Sequence, residues 1–207
     1  MALLTGDISK NSGTWTIKHA QYISVFQFDA NFATSSFNIN QMLGMVNLTK
    51  FSWWGADTEE SRVLLTGDIS AFKQCTKLNV LDIGYRTLIT GSIAVFANCP
   101  ELGDLRLLGS GATNEIKPVW GDISVLANCP KLYHLNLHHT NCSGNIMSLC
   151  GLKLTWFAVN YSYVTRYLPT SADTNTDYAT IFKNLAGNPS NYNVNDTPRT
   201  APILIRL

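Results

Sequence analysis

An apolar hexad recurs six times along the chain: Ile23 to Phe28, Phe51 to Ala56, Leu78 to Ile83, Leu102 to Leu107, Leu132 to Leu137 and Leu154 to Val159. In each copy the first, fourth and sixth residues are apolar. Successive copies begin 28, 27, 24, 30 and 22 residues apart. The alternation at its end predicts a strand with one buried face. A period of this length predicts stacked windings whose strands pair in a parallel sheet, each covering the apolar face of the next. Glycine turns stand eleven residues before the third, fourth and fifth copies: Gly67-Asp68-Ile69-Ser70, Gly91-Ser92-Ile93-Ala94 and Gly121-Asp122-Ile123-Ser124. Gly144-Asn145-Ile146-Met147 stands ten before the sixth, and Gly6-Asp7-Ile8-Ser9 has the same form near the start. Ser70 and Ser124 are placed to cap free amides of a helical turn, and Pro100 and Pro130 discourage its continuation. The return side of each winding is therefore one or two turns of helix, 3₁₀ in character.

The stretch Leu132-Tyr133-His134-Leu135-Asn136-Leu137-His138-His139-Thr140-Asn141-Cys142-Ser143-Gly144-Asn145-Ile146 resembles a leucine-rich repeat of the plant-like class, with Thr140 where that family often has asparagine. The resemblance covers residues 20 to 160 and is strongest from 64 onward. The phrase Asn-Cys-Pro followed by Lys131-Leu132 or Glu101-Leu102 is similar in style to repeats of gut Bacteroidetes proteins and of their phages. The resemblance implies an α/β solenoid: a right-handed superhelix with a parallel sheet on the concave face and short helical or 3₁₀ turns on the convex face. It also implies protein binding through the concave strands. The expected organisation is a single domain over 1–207, with an irregular N-terminal cap and first coil over 1–50, regular repeats over 51–160 and a C-terminal cap over 161–207.

Composition narrows the classes. Formal net charge is +1 and only 14% of residues are charged, which gives no basic footprint for nucleic acid. No apolar run is long enough to span a membrane. The first residues, Met1 to Gly6, lack the basic segment and apolar stretch of a secretion signal, so the expected location is a virion, or the cell exterior after removal of a signal. Cys75, Cys99 and Cys129 recur at one place in three windings and predict an internal column of thiols; Cys142 and Cys150 are expected in the core as well. Trp15, Ile17, Tyr22, Phe32 and Phe37 are expected to cover the first coil. Toward the other end a helix over Tyr178 to Ala186, capped by Asp177 and ended by Gly187, is predicted to close the stack. A loop follows over 188–200, and the strand Ile203-Leu204-Ile205 would pair with the sheet edge or with a second copy of the chain. Two windings gain residues, around Ala56 to Leu65 and Gly109 to Trp120, on one rim where insertions often build binding sites.

Candidate chemistry is sparse. His134 and His138 lie on one strand face about 13 Å apart, with His139 pointing the other way, so they form no local chelate. Asp7, Asp68 and Asp122 recur with the repeat, which favours a turn role over catalysis. No nucleophile elbow, phosphate-cradling loop or paired-cysteine metal motif is present. The expectation is therefore no enzyme, no cofactor and no metal. The outward strand positions predict a surface of Gln27, Trp53, Asp82, Asp104, Arg106, His134, Asn136, His138, Trp156 and Asn160, with Asp82 and Arg106 close enough to pair. Exposed tryptophan among Asn, Asp, Arg and His has the make-up of a recognition surface. Three readings stay open: a protein-binding recognition or assembly module, a phage decoration or fibre protein touching other virion proteins or a host surface, and glycan binding by Trp53, Trp156 and Tyr161.

Overall fold

The computed structural model describes residues 8–11, 14–17, 19–29, 37–54, 65–84, 87–109, 117–149, 151–159, 162–165 and 192–193. Two parallel sheets run through them. The long sheet contains, in chain order and in spatial order, Val25–Asp29, Lys50–Trp54, Val80–Ile83, Asp104–Leu107, His134–Asn136, Trp156–Ala158 and Tyr192–Asn193. The short sheet contains Phe37–Asn38, Leu65–Asp68, Leu88–Ser92, Lys117–Asp122, Thr140–Asn145 and Tyr163–Thr165, again each beside its chain neighbour. A 3₁₀ segment closes each winding: Ile39–Met42, Ile69–Phe72, Ile93–Asn98, Ile123–Asn128 and Ile146–Leu149. The molecule is an α/β solenoid.

Three columns of side chains fill it. Leu48, Leu78, Leu102, Leu132 and Leu154 form the first, and Phe51, Leu81, Leu105, Leu135 and Phe157 the second. Trp53, Ile83, Leu107, Leu137 and Val159 form the third, and all fifteen are buried. Phe51 pairs with Leu81, Leu81 with Leu105 and Leu105 with Leu135 in the sheet register. This corrects one reading of the pattern. The second hexad is Leu48 to Trp53, not Phe51 to Ala56, so the first two spacings are 25 (48 − 23) and 30 (78 − 48). The run Phe51-Ser52-Trp53-Trp54 satisfies the one-four-six rule in two frames, and only pairing with the next strand decides between them. Trp53 is 1% exposed. It stacks on Phe37 at 5.6 Å, and Phe26 stacks on Phe37 and Phe51 at 5.2 and 5.4 Å. The first coils thus hold aromatic rings where later coils hold leucine. Trp53→Ala would cost about 3–5 kcal/mol as a core cavity.

The turns interlock. Asn38, Asp68, Ser92 and Asp122 each accept, through a side-chain oxygen, the amide two residues ahead. These residues are the caps; Ser70 and Ser124 supply amides that are capped. In the three windings from Gly67 to Asp122, the residue before the cap is a glycine. Gly91 has φ +118°, and a Cβ built there would lie 2.6 Å from Asp68 Oδ1, the capping oxygen of the preceding winding. Gly67 stands in the same relation to Asn38, at 2.5 Å. The first winding carries Phe37 at this position, where the described residues put no capping side chain beneath it.

The thiol column is present. Cys75, Cys99, Cys129 and Cys142 are free and buried. Cys75 donates to the Met45 carbonyl, Cys99 to that of Cys75 and Cys129 to that of Phe96. Cys150 lies outside the described residues.

The ends differ from expectation. An antiparallel hairpin, Ile8–Asn11 with Thr14–Ile17, precedes the first coil, and Ile17 packs against the core. Phe37 belongs to the first coil's interior, and Tyr22 is 70% exposed, so neither is a lid. The side chains of Trp15 and Phe32 lie outside the described residues. At the other end Tyr192–Asn193, expected as loop, pairs with Phe157–Ala158 and extends the long sheet. The helix over 178–186 and the strand at 203–205 fall outside the described residues.

Two outcomes check this architecture. Gly91→Ala should lower unfolding free energy by about 1–2 kcal/mol from the left-handed backbone alone, and by more from the contact with Asp68. Gly151→Ala, where a Cβ meets nothing within 4 Å, should change it by less than about 0.5 kcal/mol; urea unfolding of the two variants distinguishes them. Burial pushes the thiols of Cys75 and Cys99 up to about 11, and those of Cys129 and Cys142 to about 12. A thiol reagent at neutral pH should therefore label these four only as fast as the protein opens.

Candidate functional site

Strand alternation turns every second residue of the long sheet away from the core. The observed register builds the outward columns. One runs Val25, Lys50, Val80, Asp104, His134 and Trp156. The next runs Gln27, Ser52, Asp82, Arg106, Asn136 and Ala158. Trp53, expected in the first column, is replaced there by Lys50 because of the frame shift in the second hexad. Its burial also removes one leg of the expected glycan-binding trio, and Tyr161 and Asn160 lie outside the described residues.

A charged cluster occupies the middle of this face. Arg106 grips Asp104 with two bonds, Nε to Oδ1 at 2.9 Å and Nη2 to Oδ2 at 2.6 Å. The two residues are two apart on one strand, so their side chains rise from the same face. Nη1 reaches across to Asp82 Oδ2 on the neighbouring strand at 3.4 Å, as the column order predicts. Both carboxylates are buried beneath the guanidinium, Asp82 at 7% and Asp104 at 4% exposure. Burial alone would weaken the Arg106 cation. The hydrogen bonds to Asp104 and the fields of Asp82 and Asp104 outweigh it and raise its pKa.

His134 continues the cluster. Its Nδ1 lies 3.8 Å from Asp104 Oδ1, and its ring sits 5.6 Å from that of Trp156. Burial holds the imidazole below its usual pKa, against the pull of Asp104 and with the help of Arg106. Trp156 is 37% exposed and Tyr133 45%. Tyr133 lies across Gly103, where a Cβ would come within 3.0 Å of its ring. Asn136 accepts the amide of His138, while Gln27 is exposed at the far end of the face. The structure thus joins Asp82, Asp104, Arg106, His134 and Trp156 and leaves Gln27 apart.

His138 and His139 depart from the expected geometry. The strand ends at Asn136, and His139 adopts φ 53° in a turn, so the two rings meet at 4.1 Å instead of pointing apart. Gly109 donates to the His138 carbonyl and the Lys117 amide to that of His139. Lys117, 3% exposed, donates from Nζ to the Gly84 carbonyl at 3.0 Å. This buried cation went unread in the sequence. Its signal is parity: Lys117 falls two residues before Val119 and so shares its inward side. The segments read as rim insertions end in short-sheet strands at Leu65 and Lys117. No group of three His, Cys, Asp or Glu among the described residues is placed to hold a metal, and no helix among them is long and apolar enough to cross a membrane.

Burial, then the neighbouring His139, pushes the His138 imidazole down to about 4, against a backbone hydrogen bond at Gly109. An unfolded His138 titrates near 6.5. Between these values the unfolded chain binds a proton that the folded chain refuses, so the His138 contribution to stability should fall as pH drops from 6.5 to 4 and be constant above. Urea midpoints measured across that range should show the decline, and His138→Gln should shallow it.

No family of known proteins matches the sequence, and no curated protein does. The fold does have solved counterparts. The PEPR1–AtPEP1 structure matches at a TM-score of 0.54 and 21% identity, over 79% of this chain and 20% of that one. The ectodomain of the receptor kinase GASSHO1/SCHENGEN3 from Arabidopsis thaliana matches at 0.51 and 19%, over 68% of this chain and 16% of that one. The Arabidopsis receptor kinase HAESA matches at 0.51 and 17%, over 77% and 26%. The chain spans about a fifth of the length of these proteins. At such identities the likeness speaks for architecture alone, and that architecture, with its paired strands, glycine turns and leucine columns, is the leucine-rich-repeat fold.

Proposed function

We propose that this chain is a non-enzymatic recognition module, one repeat domain over its whole length, and that a protein partner docks on the outward face of the long sheet. The observation that carries this reading is the Asp82–Arg106–Asp104–His134–Trp156 cluster. It is a prearranged set of charged and aromatic groups in the middle of an open strand surface. Groups held this way lose little rotamer freedom when a partner arrives, which favours affinity. Among the proteins of like fold, the GASSHO1/SCHENGEN3 ectodomain was solved with CASPARIAN STRIP INTEGRITY FACTOR 2, and HAESA with the peptide hormone IDA and the co-receptor SERK1.

The roles divide by exposure. Trp156 and Tyr133 offer the large half-exposed surfaces that dominate interface energetics. Arg106, His134 and Asn136 supply polar contacts, with Gln27 at the edge and His138 at the rim. Asp104 and Asp82 position Arg106 and are too buried to meet a partner themselves. Trp53 belongs to the core and has no part.

Peptides selected from a random display library on the immobilised full chain test the reading. Trp156→Ala and Tyr133→Ala should each weaken the selected peptides roughly 30-fold, the loss expected of an interface hot spot. Asn128→Ala, on a 3₁₀ segment of the return side, should leave them unchanged. Peptides that bind the two aromatic variants as tightly as the parent protein would rule this face out. Arg106 is unsuited to the test, because removing it leaves two buried carboxylates uncompensated at a cost of about 3–5 kcal/mol.

A further inference from the structure

The short sheet carries a departure from its own repeat. The residue immediately before the turn glycine is Thr66, Thr90, Trp120 and Ser143 in four successive windings. Three are small hydroxyl residues and one is tryptophan. A turn position that the fold satisfies with Thr or Ser has no structural need of an indole. Trp120 is 48% exposed, so about half of the indole is open to solvent.

Its strand is distorted at the same place. Lys117 pairs with Thr140 and Trp120 with the very next residue, Asn141, so the strand bulges between them. Pro118 sits within the bulge, where it has no amide to offer the ladder. Alternation continues through it, with Val119 buried and Trp120 exposed, and bulges concentrate beside functional sites.

Trp120 walls an open groove of about 410 Å³. That volume is at the lower end of the range for small-molecule sites. Three successive windings line it. Asp68 and Lys73 come from one, Ala94, Val95 and Asn98 from the next, and Trp120 from the third. Ala94 and Val95 add apolar surface beside the indole. Asp68 offers the carboxylate lone pairs left over from its bonds to the Ser70 amide and the Thr90 hydroxyl, Lys73 an ammonium donor and Asn98 both kinds of group. The two charges are opposite, so the groove has no net preference for an anion or a cation. A flat aromatic wall, a patch of aliphatic surface and mixed donors and acceptors of zero net charge match one ligand chemistry: a ring with an apolar C–H face and a rim of hydroxyls.

We infer that this groove binds a neutral saccharide, with one pyranose ring stacked on Trp120 and its hydroxyls bonded to Asp68, Lys73 and Asn98. The site lies on the short sheet and its 3₁₀ turns, apart from the long-sheet face assigned to a protein partner, and it stands or falls independently of that reading.

Titration of the full chain with cellotriose, chitotriose, maltotriose and mannotriose, followed through the Trp120 indole N–H resonance, tests the inference. At least one sugar should shift that resonance in a saturable way. Trp120→Thr, which restores the residue of the neighbouring windings and should keep a cooperative urea transition, should weaken that sugar roughly tenfold or more. Trp120→Phe should retain part of the affinity, and Asn98→Ala should reduce it. Absence of a saturable shift with all four sugars overturns the inference, as does a sugar whose affinity, measured by calorimetry, is the same for the parent and for Trp120→Thr.

Discussion

Each winding covers the apolar face of the next, and no single winding has a core of its own. Everything else in the structure follows from that dependence. A strand pair such as Leu105 beside Leu135 is also a core contact, so register and burial are fixed together. Sliding one strand by a residue would turn a leucine column to water and a charged column inward. The same dependence explains the thiols. A buried sulfur can sit against a carbonyl of an earlier winding, as Cys99 does against Cys75, at little cost in polarity.

The outward face borrows its rigidity from this stack. Asp104 and Arg106 are locked because the strand between them is locked, and Asp82 reaches Arg106 because adjacent windings are held in step. Side chains that would be mobile on an isolated strand become parts of a fixed surface. The short sheet offers a contrast. There the ladder is irregular before Trp120, yet alternation persists through it, with Val119 buried and Trp120 turned outward at the same position as Thr66, Thr90 and Ser143. Both faces therefore present exposed aromatics at positions that strand alternation turns outward.

Much of this is legible in the amino-acid order. Repeated hexads, glycine turns ten or eleven residues before them and cysteines at one place in three windings are enough to give the stacked windings, the parallel pairing and the thiol column. The Asp82–Arg106 contact follows from column order once the hexads are aligned. Trp53 shows where the reasoning fails. Apolar pattern cannot choose between two frames in Phe51-Ser52-Trp53-Trp54, and the choice is made by Leu81 and Ile83 on the adjacent strand. The short sheet was hidden for a different reason. Its strands are brief, and their inward positions are marked only by Leu65, Ile89, Val119 and Cys142, two residues before each glycine. Serine caps were expected at Ser70 and Ser124 because serine caps well in general; the geometry uses the residue two places earlier, where an Asp, Asn or Ser can reach forward.

The contact between a turn glycine and the capping oxygen beneath it has a consequence for descent. Every inner winding presents a cap above and a glycine below, so a duplicated winding inserted whole would find a matching surface on both sides. A copy that misplaced the glycine would set a side chain against the cap of the winding beneath. The stack can thus lengthen by whole units while its rim segments vary, and among the described residues Phe37, in the first winding, meets no capping side chain of this kind.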